Sequence, residues 1–277
     1  MTYIKIIVLV ALLHLGGWGQ IATADNNKVY SVGIVPQFET RRLHRIWRPL
    51  LDKLEEETGF KLVIKGSSSI PEFEKQLIAG EFDFAYMNPY HLIWSNENQN
   101  YIPLVRDHSR KLHGVLVVRK DSDLNEINKL DGKTLVFPAP NALGASLMMR
   151  AELKTLHNIS FTPRYVKNHD SVYFNVILKQ AAAGGGVQKT LNKQKPEIKD
   201  KLRVLYRTKK VSPHPFAAHG RVLKSDVEKV KAAFINMSNT EEGNKLLRKI
   251  PINKIGQATI SDYSDLSNMG LDKFREN

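Results

Sequence analysis

The sequence contains no cysteine among its 277 residues. This absence excludes a disulfide framework and any metal or redox site built on thiolates. It also excludes a lipid anchor of the kind that needs a cysteine directly after the cleavage site of an export signal. We therefore expect a free protein and not one that is tethered to a membrane by a lipid.

Long apolar runs are also missing, apart from one near the start of the chain. Lys5 precedes the apolar run 6–13, and Ala22-Thr23-Ala24 fits the small-residue pattern of a signal cleavage site. The run ends at His14, well short of the roughly 20 apolar residues that span a bilayer. The pattern predicts a cleaved signal peptide over residues 1–24 and a location in the periplasm.

Motifs of common enzyme and metal sites are absent as well. There is no Gly-x-Ser-x-Gly turn for a nucleophilic serine, and the glycines at 184–186 lack the lysine of a phosphate-binding loop. The pairs His108 with His113 and His214 with His219 are each five residues apart, which does not place them on one helical face. Zinc would need three or four convergent ligands. We predict neither an enzyme nor a metal site, and no cofactor.

Acidic residues are in the minority. The chain has 28 aspartates and glutamates against 41 lysines and arginines, a formal net charge of +13. The basic residues are spread over amphipathic segments and are not interleaved with aromatic residues, so we expect no nucleic-acid partner. The excess positive charge is either an ordinary solvated surface or a field that attracts anionic solutes. The sequence leaves both readings open.

Strand-like and helix-like segments alternate along the chain, which is typical of α/β proteins. Apolar residues from Leu43 to Leu54 recur at the spacing of one helical face, which predicts a helix over about 40–58 that stops at Gly59. The expected strands are 29–35, 61–64, 82–86, 114–118, 134–137, 164–166 and 202–206, and further helices are expected from 70, from 88, over 143–156, over 170–182 and after 224.

Two segments have the character of crossings between lobes: the strand and charged turn at 114–122, and the Pro-His-Pro segment that leads to 216–219. Two crossings predict two lobes joined by a hinge, one formed by 28–115 plus 218–277 and the other by 116–217. A cleft between lobes is a favoured place for a small ligand. We expect a monomer that closes on a small anionic solute.

Several junction segments carry a resemblance to a known family. They are 35–38 (Val-Pro-Gln-Phe), 47–50 (Trp-Arg-Pro-Leu), 84–90 (Phe-Ala-Tyr-Met-Asn-Pro-Tyr), 136–142 (Val-Phe-Pro-Ala-Pro-Asn-Ala), 169–173 (His-Asp-Ser-Val-Tyr) and 183–187 (Ala-Gly-Gly-Gly-Val). The chain resembles the phosphate/phosphite/phosphonate-type periplasmic substrate-binding proteins of ABC transporters. The resemblance implies the two-lobed type II periplasmic binding protein fold with mixed, mostly parallel sheets. It implies a phosphorus oxyanion as ligand and a membrane permease as partner, although a sensor kinase or another small anion stays open.

Two predicted helix N-termini offer donors to such an anion. In the first lobe Ser68 and Ser69 precede a helix, and in the second Asn141, Ala142 and Gly144 do so, with Gly144 permitting a close backbone approach. The serines are equally good N-caps, and one residue can serve both purposes.

Side chains at other junctions complete the predicted site. Tyr86 and Asn88 follow a strand and would direct a hydroxyl and an amide into the cleft, while Phe38 would wall the pocket. A buried tyrosine, a capping asparagine and a core phenylalanine are the alternatives. The resemblance implies that His169 contacts the ligand, with Asp170 and Ser171 beside it at a helix start.

Two departures from the family pattern bear on the ligand. Relatives that bind phosphonates begin the second-lobe helix with hydroxyl residues, and this chain has Asn141, Ala142 and Leu143 there. Residues 181–186 supply no carboxylate to meet the amino group of an aminoalkylphosphonate. The missing carboxylate counts against an aminophosphonate, which leaves phosphite, phosphate, a simple phosphonate or another small anion.

Overall fold

A computed structural model describes residues 28–250 and 252–276, so the predicted signal peptide lies outside the described residues. The strands are β1 (Val29–Ile34), β2 (Lys61–Lys65), β3 (Phe84–Tyr86), β4 (Ile102–Asp107), β5 (Gly114–Arg119), β6 (Thr134–Phe137), β7 (Thr162–Tyr165), β8 (Ala183–Val187), β9 (Leu202–Arg207), β10 (Phe216–Ala218) and β11 (Ile255–Gln257). The α-helices are α1 (Thr40–Thr58), α2 (Ile70–Ile78), α3 (Pro89–Gln99), α4 (Met148–Thr155), α5 (His169–Ile177), α6 (Gln188–Asn192), α7 (Pro196–Lys199), α8 (Lys224–Asn236), α9 (Glu241–Lys249) and α10 (Ser264–Ser267). A π-helical turn covers Leu143–Leu147, and 3₁₀ turns cover Ile127–Leu130, Met237–Asn239, Ile260–Tyr263 and Leu271–Phe274.

The strands form two sheets, one in each lobe. The first sheet has the order β11-β4-β10-β3-β1-β2, and the second has the order β7-β6-β8-β5-β9. The second sheet begins with β5 at Gly114, and the chain re-enters the first sheet with β10 at Phe216. The two-lobed α/β architecture is thus the one that the sequence predicts. The lobe bounds 28–115 plus 218–277 and 116–217 stay a prediction.

Both sheets are mixed, as expected, but parallel pairing is not the majority among the described strands. Four of the nine pairings are parallel, namely β1 with β2 and β3, and β6 with β7 and β8; the other five are antiparallel. The antiparallel pairs involve β5, β9 and β10, which flank the crossings, and the edge pair of β4 with β11. Strands that enter a sheet from the other lobe need no βαβ connection, so they are free to run antiparallel.

Helix α1 covers the residues that the apolar periodicity predicts. Its buried face includes Trp47, Leu50, Leu51 and Leu54, and each large apolar side chain that is removed from water contributes roughly 1.5–3 kcal/mol. The helix ends because Gly59 adopts the left-handed conformation, with φ of 72°.

The segment 170–182 differs from its prediction. It was expected to be one helix, but α5 ends at Ile177, Lys179 has a φ of 60°, and β8 starts at Ala183. Each glycine of β8 has a neighbour that leaves no room for a side chain: Val172 lies beside Gly184, the π-helical turn beside Gly185, and Tyr173 beside Gly186. A Cβ atom on Gly185 would lie 1.9 Å from the carbonyl oxygen of Ala145.

The predicted helix over 143–156 is present in two parts, the π-helical turn Leu143–Leu147 and then α4. Gly114 of β5 allows this turn to approach the sheet, since a Cβ atom there would lie 1.9 Å from the carbonyl oxygen of Gly144. Within residues 28–250 and 252–276, no helix combines the length and apolarity needed to cross a bilayer.

Candidate functional site

A small cavity of about 20 Å³ lies where the two lobes meet. The first lobe and the crossing that returns to it contribute Val35, Gln37, Ile70, Asn88 and His214, and the second lobe contributes Ala142, Leu143, Gly144, Ala145, His169 and Val187. One water molecule needs about 10–15 Å³ on this scale, so the cavity in this conformation has room for one or two water molecules. A larger groove of about 590 Å³ beside Lys154 and Lys273 contains none of the predicted site residues and is open to solvent.

Asn88 joins the two lobes at the edge of the cavity. Its side-chain oxygen accepts a hydrogen bond from the backbone N–H of His91 at 2.8 Å, which caps α3. Its side-chain nitrogen donates to the carbonyl oxygen of Asn141 in the other lobe, at 3.3 Å. The asparagine is therefore both the N-cap and a cavity residue, so the two alternatives for this position do not exclude each other.

Tyr86 ends β3 just behind the cavity. Its ring stacks on the imidazole of His214, with 5.4 Å between ring centroids, and it also packs against Trp47 at 4.8 Å. Burial raises the pKa of the Tyr86 hydroxyl, so the phenol remains protonated. The hydroxyl lies 3.2 Å from Nζ of Lys189, which comes from the second lobe.

The backbone of the second lobe presents a helix N-terminus to the cavity. Residues 142–145 line the cavity, and they begin the π-helical turn that continues into α4. The first N–H groups of a helix have no acceptor within that helix, and the helix dipole favours an anion at this end. Single π-turns of this kind are frequent at functional sites.

His169 is the first residue of α5 and is only 2% exposed. Burial, together with the nearby charge of Lys189, lowers the pKa of His169 to about 3, so the ring is neutral in ordinary buffers. Its Nδ1 atom is buried and has no hydrogen-bond partner among the described residues. A buried polar atom without a partner costs roughly 1–3 kcal/mol, which points to a role toward a ligand.

Three further residues, none of them in the predicted site, form the polar wall of this region. The side-chain nitrogen of Gln37 lies 2.8 Å from Nε2 of His214, and both residues line the cavity. Nζ of Lys189 lies 3.3 Å from the side-chain oxygen of Gln37. Burial, with Lys189 as the largest nearby charge, lowers the pKa of His214 well below its usual value.

The sequence contained a signal for each of these residues. Gln37 lies inside the first family-like segment, and His214 lies in the Pro-His-Pro segment, which we interpreted as a crossing between the lobes. Lys189 follows the strand β8 by two residues, at the carboxyl end where ligands bind. It was missed because the strand itself was not predicted.

The other predicted residues lie outside the cavity lining, and their contact with a ligand stays a prediction. Ser68 is exposed, and the hydroxyl of Ser69 caps α2 by accepting from the N–H of Glu72 at 3.2 Å. The Phe38 ring is covered by the guanidinium of Arg42 at 3.9 Å.

Asp170, Ser171 and Asn141 make hydrogen bonds or ion pairs with other residues of the protein. A carboxylate oxygen of Asp170 lies 3.5 Å from the Arg42 guanidinium, which links the two lobes. The backbone N–H of Ser171 donates to the side chain of Asn168, the N-cap of α5, at 2.9 Å. The side chain of Asn141 donates to Glu74 at 3.1 Å and is 3% exposed.

The charge around the cavity is positive. Among the described residues that line it, none carries a carboxylate, while Lys189 lies directly behind Gln37 and Tyr86. Within residues 28–250 and 252–276, no group of three or more acidic or histidine side chains is arranged to hold a metal ion. The neutral donors, the helix N-terminus and the lysine together suit a small anion.

Comparison with known proteins gives a consistent picture. The family model described as "ABC transporter, phosphonate, periplasmic substrate-binding protein" matches residues 32–263. No curated protein sequence matches the chain.

Among solved structures, a binding-protein component of an ABC phosphonate transporter from Pseudomonas aeruginosa is similar with a TM-score of 0.81, 14% identity, and coverage of 89% of this chain and 86% of that one. PhnD1 from Prochlorococcus marinus in complex with methylphosphonate has a TM-score of 0.81, 15% identity, and coverage of 89% and 98%. A Xanthomonas citri protein bound to ATP has a TM-score of 0.71, 16% identity, and coverage of 90% and 98%. At these identities the likeness establishes the shared fold.

Proposed function

Because this chain belongs to the family of periplasmic substrate-binding proteins of phosphonate ABC transporters, we propose that it captures a small phosphorus oxyanion in the cavity between its lobes. Members of this family are transport components of the periplasm and not enzymes. The predicted signal peptide over 1–24 agrees with that location. We further propose that the chain acts as a monomer, delivers its solute to a membrane permease and catalyses no reaction.

The observation that carries the proposal is the buried, unpartnered Nδ1 atom of His169 beside the N-terminus of the helical segment 143–155. The His169 imidazole, which donates from Nδ1 in one of its two neutral tautomers, and the backbone of residues 142–145 line the same small space. Each charge-assisted hydrogen bond to an anion contributes roughly 1.5–3 kcal/mol, so a few of them offset the loss of hydration.

The lining supports a short ligand without an amino group. Val35, Ile70 and Val187 provide an apolar wall, which fits a P–H or P–CH₃ group better than a fourth polar oxygen. Among the described lining residues there is no carboxylate to meet an ammonium group. Phosphite and methylphosphonate are therefore the first ligands to test, followed by phosphate.

A thermal-shift screen of the ligand-free protein tests the proposal. A ligand at 100 times its Kd adds about 2.7 kcal/mol of stability, which raises the Tm of a protein of this size by roughly 5–10 °C. We expect phosphite or methylphosphonate to produce such a shift and aminoethylphosphonate and sulfate to produce less. The absence of a shift with every phosphorus oxyanion would contradict the proposed function.

Calorimetric titration of variants then tests the location of the site. His169→Ala and Tyr86→Phe are expected to weaken binding by about tenfold or more and about fivefold, since one donor to the ligand or its surroundings is lost in each. His44→Ala, which changes an exposed histidine of α1, is the matched control and should bind as the wild type does. Unchanged affinity in both site variants would mean that the anion binds elsewhere.

A further inference from the structure

Lys189 extends from the second lobe across the cleft to the first. It is the second residue of α6, two residues beyond the end of β8. Its Nζ atom lies 3.2 Å from the hydroxyl of Tyr86 and 3.3 Å from the side-chain oxygen of Gln37. It also lies 5.4 Å from the centroid of the Tyr86 ring. The ammonium is thus held against the polar wall of the cavity.

The partners of this ammonium are all uncharged. Within the part of the chain that the structure describes, Lys189 forms no ion pair with a carboxylate; its contacts are a phenol, an amide oxygen and an aromatic face. Lys189 is partly buried, and a cation that loses part of its hydration without gaining a counter-ion is destabilised. The arrangement therefore destabilises the ligand-free protein, and a bound anion removes this effect by acting as the counter-ion.

The charged and titratable groups around Lys189 increase this effect. Arg110 and Lys193 add positive charge, and the single nearby carboxylate, that of Asp107, is bonded by Arg110 at 2.8 Å. His169 and His214 face the same region in their neutral forms. The surroundings of Lys189 therefore contain no free negative charge among the described groups that act on it.

We propose that Lys189 determines the charge selectivity of the site, pairing with the bound oxyanion so that doubly charged oxyanions are preferred to singly charged ones of the same size. This inference rests on the proposed function, because it needs the anion to occupy the cavity. The inference adds Lys189, a residue outside the predicted site. It also adds selection by the charge of the ligand, which the size of the cavity cannot provide.

Proton linkage is a consequence of this pairing. Burial and the charges of Arg110 and Lys193 lower the pKa of Lys189 to about 7, so near neutral pH much of the ligand-free protein carries a neutral amine. An anion beside Nζ favours the ammonium form and raises that pKa in the complex. Between the two pKa values, binding takes up a proton from solvent, and affinity decreases as the pH rises above about 7.

Two ligands and three variants test the proposal by calorimetry. Phosphite, a dianion at pH 8, is compared with hypophosphite, a monoanion of similar size, on the wild type, Lys189→Met, Lys189→Arg and Lys195→Met. We expect Lys189→Met to weaken phosphite binding by roughly 10- to 100-fold and to reduce the preference for phosphite. Lys195→Met, which removes an exposed lysine just before α7, should change affinity by no more than about twofold.

Titration in two buffers of different ionisation heat counts the protons taken up at pH 8. Lys189→Arg retains the positive charge but cannot lose its proton, so its uptake reports on the ligand alone. The wild type should take up more protons than Lys189→Arg. The arginine variant also keeps the test valid if Lys189→Met does not fold.

The outcomes separate the two proposals. Equal proton uptake in the wild type and Lys189→Arg, with an unchanged preference for phosphite in Lys189→Met, would overturn the role of Lys189 and leave the capture function intact. If the wild type binds no phosphorus oxyanion at any pH, the proposed function is wrong and the role of Lys189 is wrong with it. A lower Tm of the ligand-free variant with unchanged affinity would indicate that Lys189 only ties the lobes together.

Discussion

Two groups, the buried His169 ring and the partly buried Lys189 side chain, are suited to an anion and poorly satisfied without one. His169 keeps a neutral ring with an unpartnered Nδ1, and Lys189 has only uncharged partners among the described residues. Both groups would gain a partner from the same ligand. Each unsatisfied group costs free energy in the ligand-free protein, and a ligand that supplies the missing partner regains that free energy as affinity.

The neutral state of His169 predicts how stability depends on pH. Its pKa is about 3 in the folded protein and 6.5 in the unfolded chain, so the unfolded state binds more protons between these values. The contribution of the neutral ring to the free energy of unfolding is fully present above pH 6.5. It is lost as the pH falls toward 3, by up to about 1.4 kcal/mol per pH unit.

Urea unfolding of the ligand-free protein at pH 7.5 and pH 5 measures this dependence. We expect His169→Ala to lose less free energy of unfolding between the two pH values than the wild type does. His44→Ala, with an exposed imidazole, should follow the wild type. A pH dependence that His169→Ala leaves unchanged would show that the ring is accessible to protons in the folded state.

At the scale of elements, the N-terminus of the helical segment 143–155 is positioned by glycines on the sheet beneath it. Gly185 of β8 and Gly114 of β5 meet the carbonyl oxygens of Ala145 and Gly144 so closely that a Cβ atom would lie 1.9 Å from each. These glycines are required for close approach and not for an unusual φ. The position of the backbone donors therefore depends on two distant strands.

Gly185→Ala should consequently lower the free energy of unfolding by about 1–3 kcal/mol, because the added methyl group displaces the π-helical turn. It should also weaken ligand binding, since that turn lines the cavity. Gly66→Ala is the matched control: a Cβ atom there meets nothing within 4 Å, and the change should stay within about 0.5 kcal/mol. Denaturant unfolding and titration of both variants check this. Equal stability of the two variants would mean that the turn has room to move.

At the scale of the whole molecule, the lobes are tied together on two sides of the cavity. Arg42 pairs with Asp170 on one side, and the chain end joins them on the other. There Asp272 accepts from the hydroxyl of Tyr90 in the first lobe at 2.5 Å, while the carboxylate of Glu276 pairs with Arg150 in the second lobe at 2.8 Å. The family match ends at residue 263, so Asp272 and Glu276 lie beyond it.

Ending the chain after Gly270 should therefore lower the Tm of the ligand-free protein by about 5 °C or more. The truncation removes the buried Leu271, the bond to Tyr90 and the pairing with Arg150, and each kcal/mol corresponds to about 2–4 °C in a protein of this size. Lys273→Ala, which alters an exposed side chain in the same segment, should leave the Tm unchanged. A truncated protein that melts like the wild type would show that the chain end contributes nothing to holding the lobes.

Much of the architecture follows from local patterns that the sequence contains by itself. The apolar periodicity of Thr40–Thr58 defines α1, and the alternation of strands and helices indicates an α/β protein with two lobes. Asn88 and His169 of the family-like segments, and Ala142 and Gly144 of the predicted helix N-terminus, line the cavity, while their contact with a ligand stays a prediction. The helices and strands are decided by residues a few positions apart, so a single sequence is enough to predict them.

Only the tertiary structure decides which groups meet across the cleft. Lys189 lies near Tyr86, 103 residues earlier in the chain, and Asp170 is paired by Arg42 from the other lobe. The triple glycine forms strand β8 although glycine has little intrinsic preference for strands, and both α5 and the π-helical turn pack closely on it. Such contacts depend on how distant segments pack, and no local pattern of residues contains that information.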